Sequence, residues 1–347
     1  MNPDAVDELL AGADRDDENA GRVPHGSSDD PRILDFSANT NPRYPDGVTR
    51  VYSSALPAAQ SYPADDYSEY RIAAGEYVGC EPHAVVPAPG GLAAMRLAIG
   101  ACVRPGESVL VPYPSFGEYD REVRLQGGEP TPVPHDELLD ADPTDHAMAV
   151  VCNPNNPTGD AYDPEALRSF AARCHEADTV LLADEAFLGF TDDPSLAGTD
   201  GVVVARSLTK LFGLPGLRMG FAVATGRLHD RLAAARRTWN LSVPATAVGE
   251  HCMTSEEFVR ETRDRVARER ARMAERLSSR FDVHDSDAPF LLLDADSTEE
   301  ATRAIEDART YDIAIRDART FRGLDSHVRV AVRLPDENDR LLAALGV

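Results

Sequence analysis

Lysine is almost absent from this chain: of 35 basic residues only Lys210 is a lysine, and the rest are arginines. Arginine stays protonated and forms no imine under ordinary conditions, whereas a partly desolvated lysine can lose its proton and attack a carbonyl. The one retained amine is therefore the first candidate for chemistry, against the competing reading of a lone lysine on a solvated helix. Cysteine is sparse as well. Cys80, Cys102, Cys152, Cys174 and Cys252 are odd in number, far apart and free of C-x-x-C spacing, so neither a disulfide framework nor a thiolate metal site is expected. Long apolar runs are missing, and the first residues lack the basic and apolar stretches of a secretory signal, which leaves a cytoplasmic protein without a membrane partner as the expectation. Positive charge is outnumbered, 59 acidic residues against 35 basic ones giving a formal charge of −24 spread along the chain. That balance excludes nucleic acid and anionic membrane as partners and suits a halophilic protein, whose self-repulsion is screened in concentrated salt.

What is present is enough chain, 347 residues, for roughly two domains. Residues 1–24 are acidic and polar and read as a mobile or loosely docked arm. From Gly90 the pattern alternates: helix over 91–102, strand over 108–111, helix over 115–126, strand over 147–152, helix over 164–176. The apolar runs 180–183, 202–205 and 219–224 lack polar alternation and suit strands buried on both faces of a mainly parallel sheet. After Thr225 long arginine- and glutamate-rich helices follow, chiefly 256–280, their charges mostly on a solvated face. Strands over 290–293, 313–316 and 328–332, with helices over 298–309 and 337–345, complete a small α+β unit. The fold class is α/β, a large α/β/α domain with a mainly parallel sheet plus a small α+β domain.

Separated segments carry the chemistry. The run 180–183 leads into Asp184-Glu185-Ala186-Phe187, and a carboxylate at the carboxyl end of a parallel strand points into the crevice where such sheets bind ligands. Asp184 there suits either a charged partner for a ligand or a cap of the following turn. The octet Cys152-Asn153-Pro154-Asn155-Asn156-Pro157-Thr158-Gly159 follows another strand and can project an amide, that of Asn156, into the same crevice; an ordinary Asn-Pro turn is the alternative. Gly90-Gly91-Leu92 opens a helix whose bare N–H groups could receive a phosphate, or is a plain turn. Ser207, Thr209 and Arg218 add donors around Lys210, and Phe116 could stack on a ring or belong to the core. An imine-forming amine, an anion for a ring nitrogen, a donor to a phenolic oxygen, a stacking ring and a phosphate cradle together fit one cofactor, pyridoxal 5′-phosphate.

The octet around Asn156, the Asp184 turn and Ser207-Leu208-Thr209-Lys210 with the later Gly216-Leu217-Arg218 resemble the fold-type I pyridoxal-phosphate enzymes of the histidinol-phosphate aminotransferase branch, over the chain from about residue 25 onward. Within that branch Asp35-Phe36-Ser37-Ala38-Asn39-Thr40-Asn41-Pro42, the Asp184 turn and the segment from Ile315-Arg316 to Arg329-Val330-Ala331-Val332-Arg333 are most similar to threonine-phosphate decarboxylases of cobalamin biosynthesis. Phe187 stands where aminotransferases commonly carry tyrosine and the decarboxylases tend to have phenylalanine. The chain also departs at Gly91 and Leu92, where relatives often have polar residues, and at Pro244, where asparagine is typical. The resemblance implies that Arg329 grips the substrate carboxylate, that Arg316, Asn39 and His25 lie near its phosphate or carboxylate, and that Arg333 belongs to the substrate site unless a salt bridge claims it. It further implies that Tyr62 reaches across a homodimer to the partner's cofactor phosphate.

The implied reaction is decarboxylation of a small phosphorylated amino acid, O-phospho-L-threonine, with a transaminase acting on histidinol phosphate or another amino acid as the alternative. The implied division is 25–45 as an N-terminal segment of the small domain, 46–244 as the large cofactor-binding domain and 245–347 as the small domain.

Overall fold

The computed structural model describes residues 1–11, 23–24, 26–28 and 30–347. Its centre is a seven-stranded sheet ordered Val85–Ala88, Gly220–Val223, Val202–Ser207, Val180–Asp184, Met148–Cys152, Ser108–Tyr113 and Glu129–Pro134. All neighbours run parallel except Gly220–Val223, which is antiparallel to both of its own, so the run expected at 219–224 is the strand that turns against the rest. Along Val180–Asp184 successive side chains alternate between two cores, Leu181 and Ala183 on one face and Leu182 on the other. Helices cover both faces, which is why these strands lack polar positions. Glu129–Pro134 has no apolar run and is not legible as a strand in the sequence. It is an edge strand, and Pro130, Pro132 and Pro134 alternate along it, so the missing N–H groups face away from the ladder and blunt the edge.

Local capping chemistry sets several boundaries. Asp163 accepts the N–H groups of Glu165 and Ala166 and Pro164 fills the first position of helix Pro164–Glu176. The helix expected from residue 115 begins at Glu118, because Ser115 turns its hydroxyl back onto the Pro112 carbonyl. Within the expected arm, Pro3–Ala11 forms a helix with Ala5 buried, and the Asn2 N–H donates to the Leu125 carbonyl at 2.8 Å. The remainder of the arm, 12–22, lies outside the described residues.

The second sheet is antiparallel, ordered Arg316–Asp317, His327–Ala331, Phe290–Asp294, Asp282–Val283. The single strand expected over 313–316 divides: Ile313–Ala314 pairs in parallel with Leu34–Asp35, and Arg316–Asp317 pairs with His327–Ala331. From this separate two-stranded pairing the chain runs on to the short helix Leu208–Leu211, where the Asn41 N–H donates to the Lys210 carbonyl at 2.9 Å and the Asn41 amide to the Leu211 carbonyl at 2.8 Å. Helix Glu256–Leu277 buries the stripe Val259, Thr262, Val266, Met273 and Leu277, but also Arg265 and Glu269, so its charges are not all solvated. Arg265 is used inside, donating to Asn41 Oδ1 at 2.8 Å and to the Arg333 carbonyl at 2.7 Å.

Candidate active site

The sequence-predicted residues converge at the carboxyl ends of the parallel strands. Phe116 follows Ser108–Tyr113, Asn156 follows Met148–Cys152, Asp184 ends Val180–Asp184 and Lys210 follows Val202–Ser207. Between this edge and the second sheet lies a cavity of about 590 Å³, lined by these four residues with Gly91, Leu92, Ser207, Thr209, Arg218, Asn39, Arg316 and Arg329. That volume suits a cofactor with a small substrate. Among the described residues no helix is long and apolar enough to cross a membrane, and no cluster of His, Cys, Asp or Glu is set to hold a metal ion.

Burial gives the wall its electrostatics. Lys210 has its amine pushed down to about 8, chiefly by desolvation and then by the positive charges of Arg329 and Arg218. An amine so placed is unprotonated near neutral pH far more often than a surface lysine. Asp184 is buried, and desolvation raises its carboxyl, while Tyr119 Oη at 2.6 Å and the Ala186 N–H at 3.0 Å favour the ionised form. Arg329 is driven down to about 9 by burial and by the neighbouring Arg316. One Arg329 nitrogen donates to the Asn156 side-chain oxygen and another to the Ser37 carbonyl at 3.0 Å, and its guanidinium lies 5.1 Å from the Phe290 ring centre. Arg316 donates to the Pro24 carbonyl at 2.7 Å and to Thr320 Oγ1 at 2.8 Å.

Among the described residues none of Arg218, Arg316 and Arg329 has a carboxylate ion-pair partner. Arg316 and Arg329 are buried, and guanidinium groups buried in this state call for anionic ligands, while Arg218 is exposed at the cavity's edge. Arg329 Nε, a donor buried without a hydrogen-bond partner among the described residues, points the same way, while Asn39 Oδ1, an acceptor in the same state, calls for a donor on a ligand. The chain carries a net charge of −24, yet this cavity's lining sets Lys210, Arg218, Arg316, Arg322 and Arg329 against Asp120 and Asp184 alone.

The phosphate end has a built cradle. Gly90, with φ of +94°, opens helix Gly91–Cys102, and a Cβ there would lie 2.5 Å from Arg218 Nη2. A Cβ at Gly91 would come within 3.0 Å of the Ser207 side chain, whose hydroxyl sits 2.8 Å from that of Thr209. Bare backbone at 90–91 is thus what lets guanidinium, two hydroxyls and a helix N-terminus share one spot. Lys210, Asp184, this cradle and the Phe116 ring fit pyridoxal phosphate: they could hold its aldehyde carbon, ring nitrogen, phosphate and ring face.

Two sequence expectations fall elsewhere, and a third is not described. Arg333 does not line the cavity: it pairs with Glu337 at 3.1 Å, donates to the Asp35 carbonyl at 3.2 Å and rests over Phe36, so its place beside the substrate gives way to tying the last helix to the second sheet. Tyr62 is 76 % exposed and stacks on Trp239 with ring centres 4.2 Å apart, outside this cavity. His25 lies outside the described residues.

Sequence reasoning missed Tyr119, which bonds Asp184, and the ion pair of Glu185 and Arg206, both under a tenth exposed, with nitrogen and oxygen 3.1 Å apart. It also missed Arg322, which lines the cavity and covers the Tyr113 ring at 4.7 Å. Tyr119 had a signal, since it stands three residues after Phe116 at a helix start and so on a neighbouring face.

Comparison with known proteins identifies the family and its cofactor. The family model for aminotransferase class I and II matches residues 33–345. A histidinol-phosphate aminotransferase of Archaeoglobus fulgidus is 28% identical over 320 residues, covering 90% of this chain and 98% of its own. The threonine-phosphate decarboxylase of Salmonella typhimurium is 30% identical over 334 residues, covering 90% of each. Among solved structures, the histidinol-phosphate aminotransferase of Sinorhizobium meliloti in complex with pyridoxal-5′-phosphate superposes with a TM-score of 0.82 at 21% identity over 90% of each chain. The chain belongs to the aminotransferase class I and II family, as a fold-type I enzyme that uses pyridoxal phosphate.

Proposed function

We propose that the enzyme is a lyase that decarboxylates O-phospho-L-threonine to 1-amino-2-propanol O-2-phosphate, a precursor for cobalamin biosynthesis. The observation that carries this reading is the facing pair Arg316 and Arg329 on one cavity wall, neither with a carboxylate partner among the described residues. Two guanidinium groups side by side suit a small substrate bearing a phosphate and a carboxylate. Phe187 supports the same choice. It lines the cavity and packs edge-on against Phe290 at 5.1 Å, so the phenol common at this place in aminotransferases is replaced by an apolar ring.

Pyridoxal phosphate, held by Asp184, Phe116 and the phosphate cradle beside Lys210, would supply the electron sink for the pair left at Cα when the bond to the carboxyl carbon breaks. This chain's residues do the rest. Arg316 and Asn39 anchor the remote phosphate, so that binding energy fixed there orients Cα. Arg329 holds the carboxylate, its own position set by Asn156 and the Ser37 carbonyl. Asp184 would keep positive charge on the ring nitrogen, and Lys210, its proton affinity depressed by burial, would hold the proton that is returned to Cα once CO₂ has left. In this reading Tyr62, exposed beside Trp239, serves the site of a second copy in a homodimer.

The second reading is aminotransfer on histidinol phosphate or another amino acid, favoured by the likeness to the Archaeoglobus fulgidus enzyme. Incubation with O-phospho-L-threonine separates them. Release of CO₂ without an amino acceptor is the expected result; turnover that requires a 2-oxo acid, without CO₂, overturns the decarboxylase.

A further inference from the structure

Behind Asp184 the protein has placed a group that the reaction above does not use. Tyr119 lies on helix Glu118–Leu125, is 1% exposed, and directs its hydroxyl to Asp184 Oδ2 at 2.6 Å while the Ala186 N–H occupies Oδ1 at 3.0 Å. Its ring meets Phe116 edge-on with centres 5.6 Å apart, so the turn entering this helix and the helix's first turn supply the cavity's stacking ring and the donor to its carboxylate. We propose that Tyr119 is a positioning residue that keeps Asp184 ionised and aimed at the cofactor's ring nitrogen, and thereby sets how much positive charge that nitrogen retains.

The argument is one of competing proton affinities. A carboxylate buried without donors gains a proton easily, and a carboxyl that takes the proton from a pyridinium leaves the ring neutral and a poor electron sink. A hydroxyl donated to the carboxylate favours its charged form. Tyr119 can play this part at every accessible pH, because burial and the adjacent Asp184 push its phenol well above the ordinary tyrosine range and it stays a donor. The other groups that face Asp184 do not replace it. Cys152 is buried, its thiol held neutral by desolvation, and donates to the Pro154 carbonyl at 3.4 Å. Glu185 is engaged by Arg206, Ser195 and the Leu196 N–H. Lys210 favours the charged form of Asp184 as a point charge, and itself faces Arg329 and Arg218.

This inference rests on Asp184 being the partner of the ring nitrogen, so the test treats the two together without using turnover. The visible absorption band of the Lys210-bound cofactor is titrated with pH in the wild-type holoenzyme, Tyr119→Phe and Asp184→Asn. A positively charged ring nitrogen lowers the midpoint at which the nearby imine loses its proton. Tyr119→Phe should therefore raise the midpoint by about half a pH unit or more, and Asp184→Asn should raise it further. Tyr119→His, which can return a ring N–H donor to the carboxylate, should bring the midpoint back toward the wild-type value. A midpoint unchanged in Tyr119→Phe but raised in Asp184→Asn overturns the role of Tyr119 alone. Midpoints unchanged in both overturn the assignment of Asp184 as well.

Discussion

Arg316 and Arg329 are direct partners across the antiparallel pair formed by Arg316–Asp317 and His327–Ala331. Like charges opposite each other on a sheet are destabilising, and burying both raises the cost. The arrangement pays only when anions arrive. Arg329→Ala should lower kcat/KM for O-phospho-L-threonine roughly 30-fold or more, the equivalent of about 2 kcal/mol, and Arg329→Lys should recover little of it because the forked contact is lost. Arg316→Met should lower kcat/KM too, yet raise the Tm of the substrate-free protein by relieving the repulsion. Steady-state kinetics and thermal melting of the three variants check this, and unchanged kinetics in Arg329→Ala would place the carboxylate elsewhere.

Gly90 should tolerate no side chain. Gly90→Ala sets a Cβ 2.5 Å from Arg218 Nη2 at a φ of +94°, so either the guanidinium leaves the cradle or the backbone does. With ψ at 165° this is a region essentially reserved for glycine, and it alone costs an alanine about 1–3 kcal/mol. Cofactor affinity should fall about tenfold or more, read as faster loss of the bound chromophore on dialysis, with affinity retained counting against the cradle.

Arg333 is expected to matter for stability and not for substrate. Its contacts are Glu337, the Asp35 carbonyl and the Phe36 ring, all outside the cavity. Arg333→Ala should cost about 1–2 kcal/mol in denaturant unfolding and leave KM within about twofold of wild type. A large rise in KM without loss of stability would return Arg333 to the substrate site.

The sequence carried the parallel core because strands buried on both faces leave continuous apolar runs, and those at 180–183 and 202–205 need no partner to be recognised. Lys210, Asp184 and Asn156 were legible for a related reason: each follows such a strand, where a chemically specific side chain has little other purpose. Glu129–Pro134 was not, since its identity as a strand comes from the edge it occupies and not from its own hydrophobicity. Arg333 and Arg329 look alike four residues apart, and only the arrival of Glu337 from the last helix separates them. Tyr119 was hidden for a different reason, its partner standing 65 residues further along the chain.

The most direct measurement is covalent trapping at Lys210. The amine, brought to about 8, should be captured by pyridoxal phosphate with a rate that rises with pH about a midpoint near that value, not near the ordinary lysine value of 10.5. Borohydride reduction of the loaded protein followed by peptide mapping should find the reduced cofactor on the peptide containing Lys210, and on none in Lys210→Arg. Absence of the label under saturating cofactor, or its appearance at the amino terminus alone, would contradict the account.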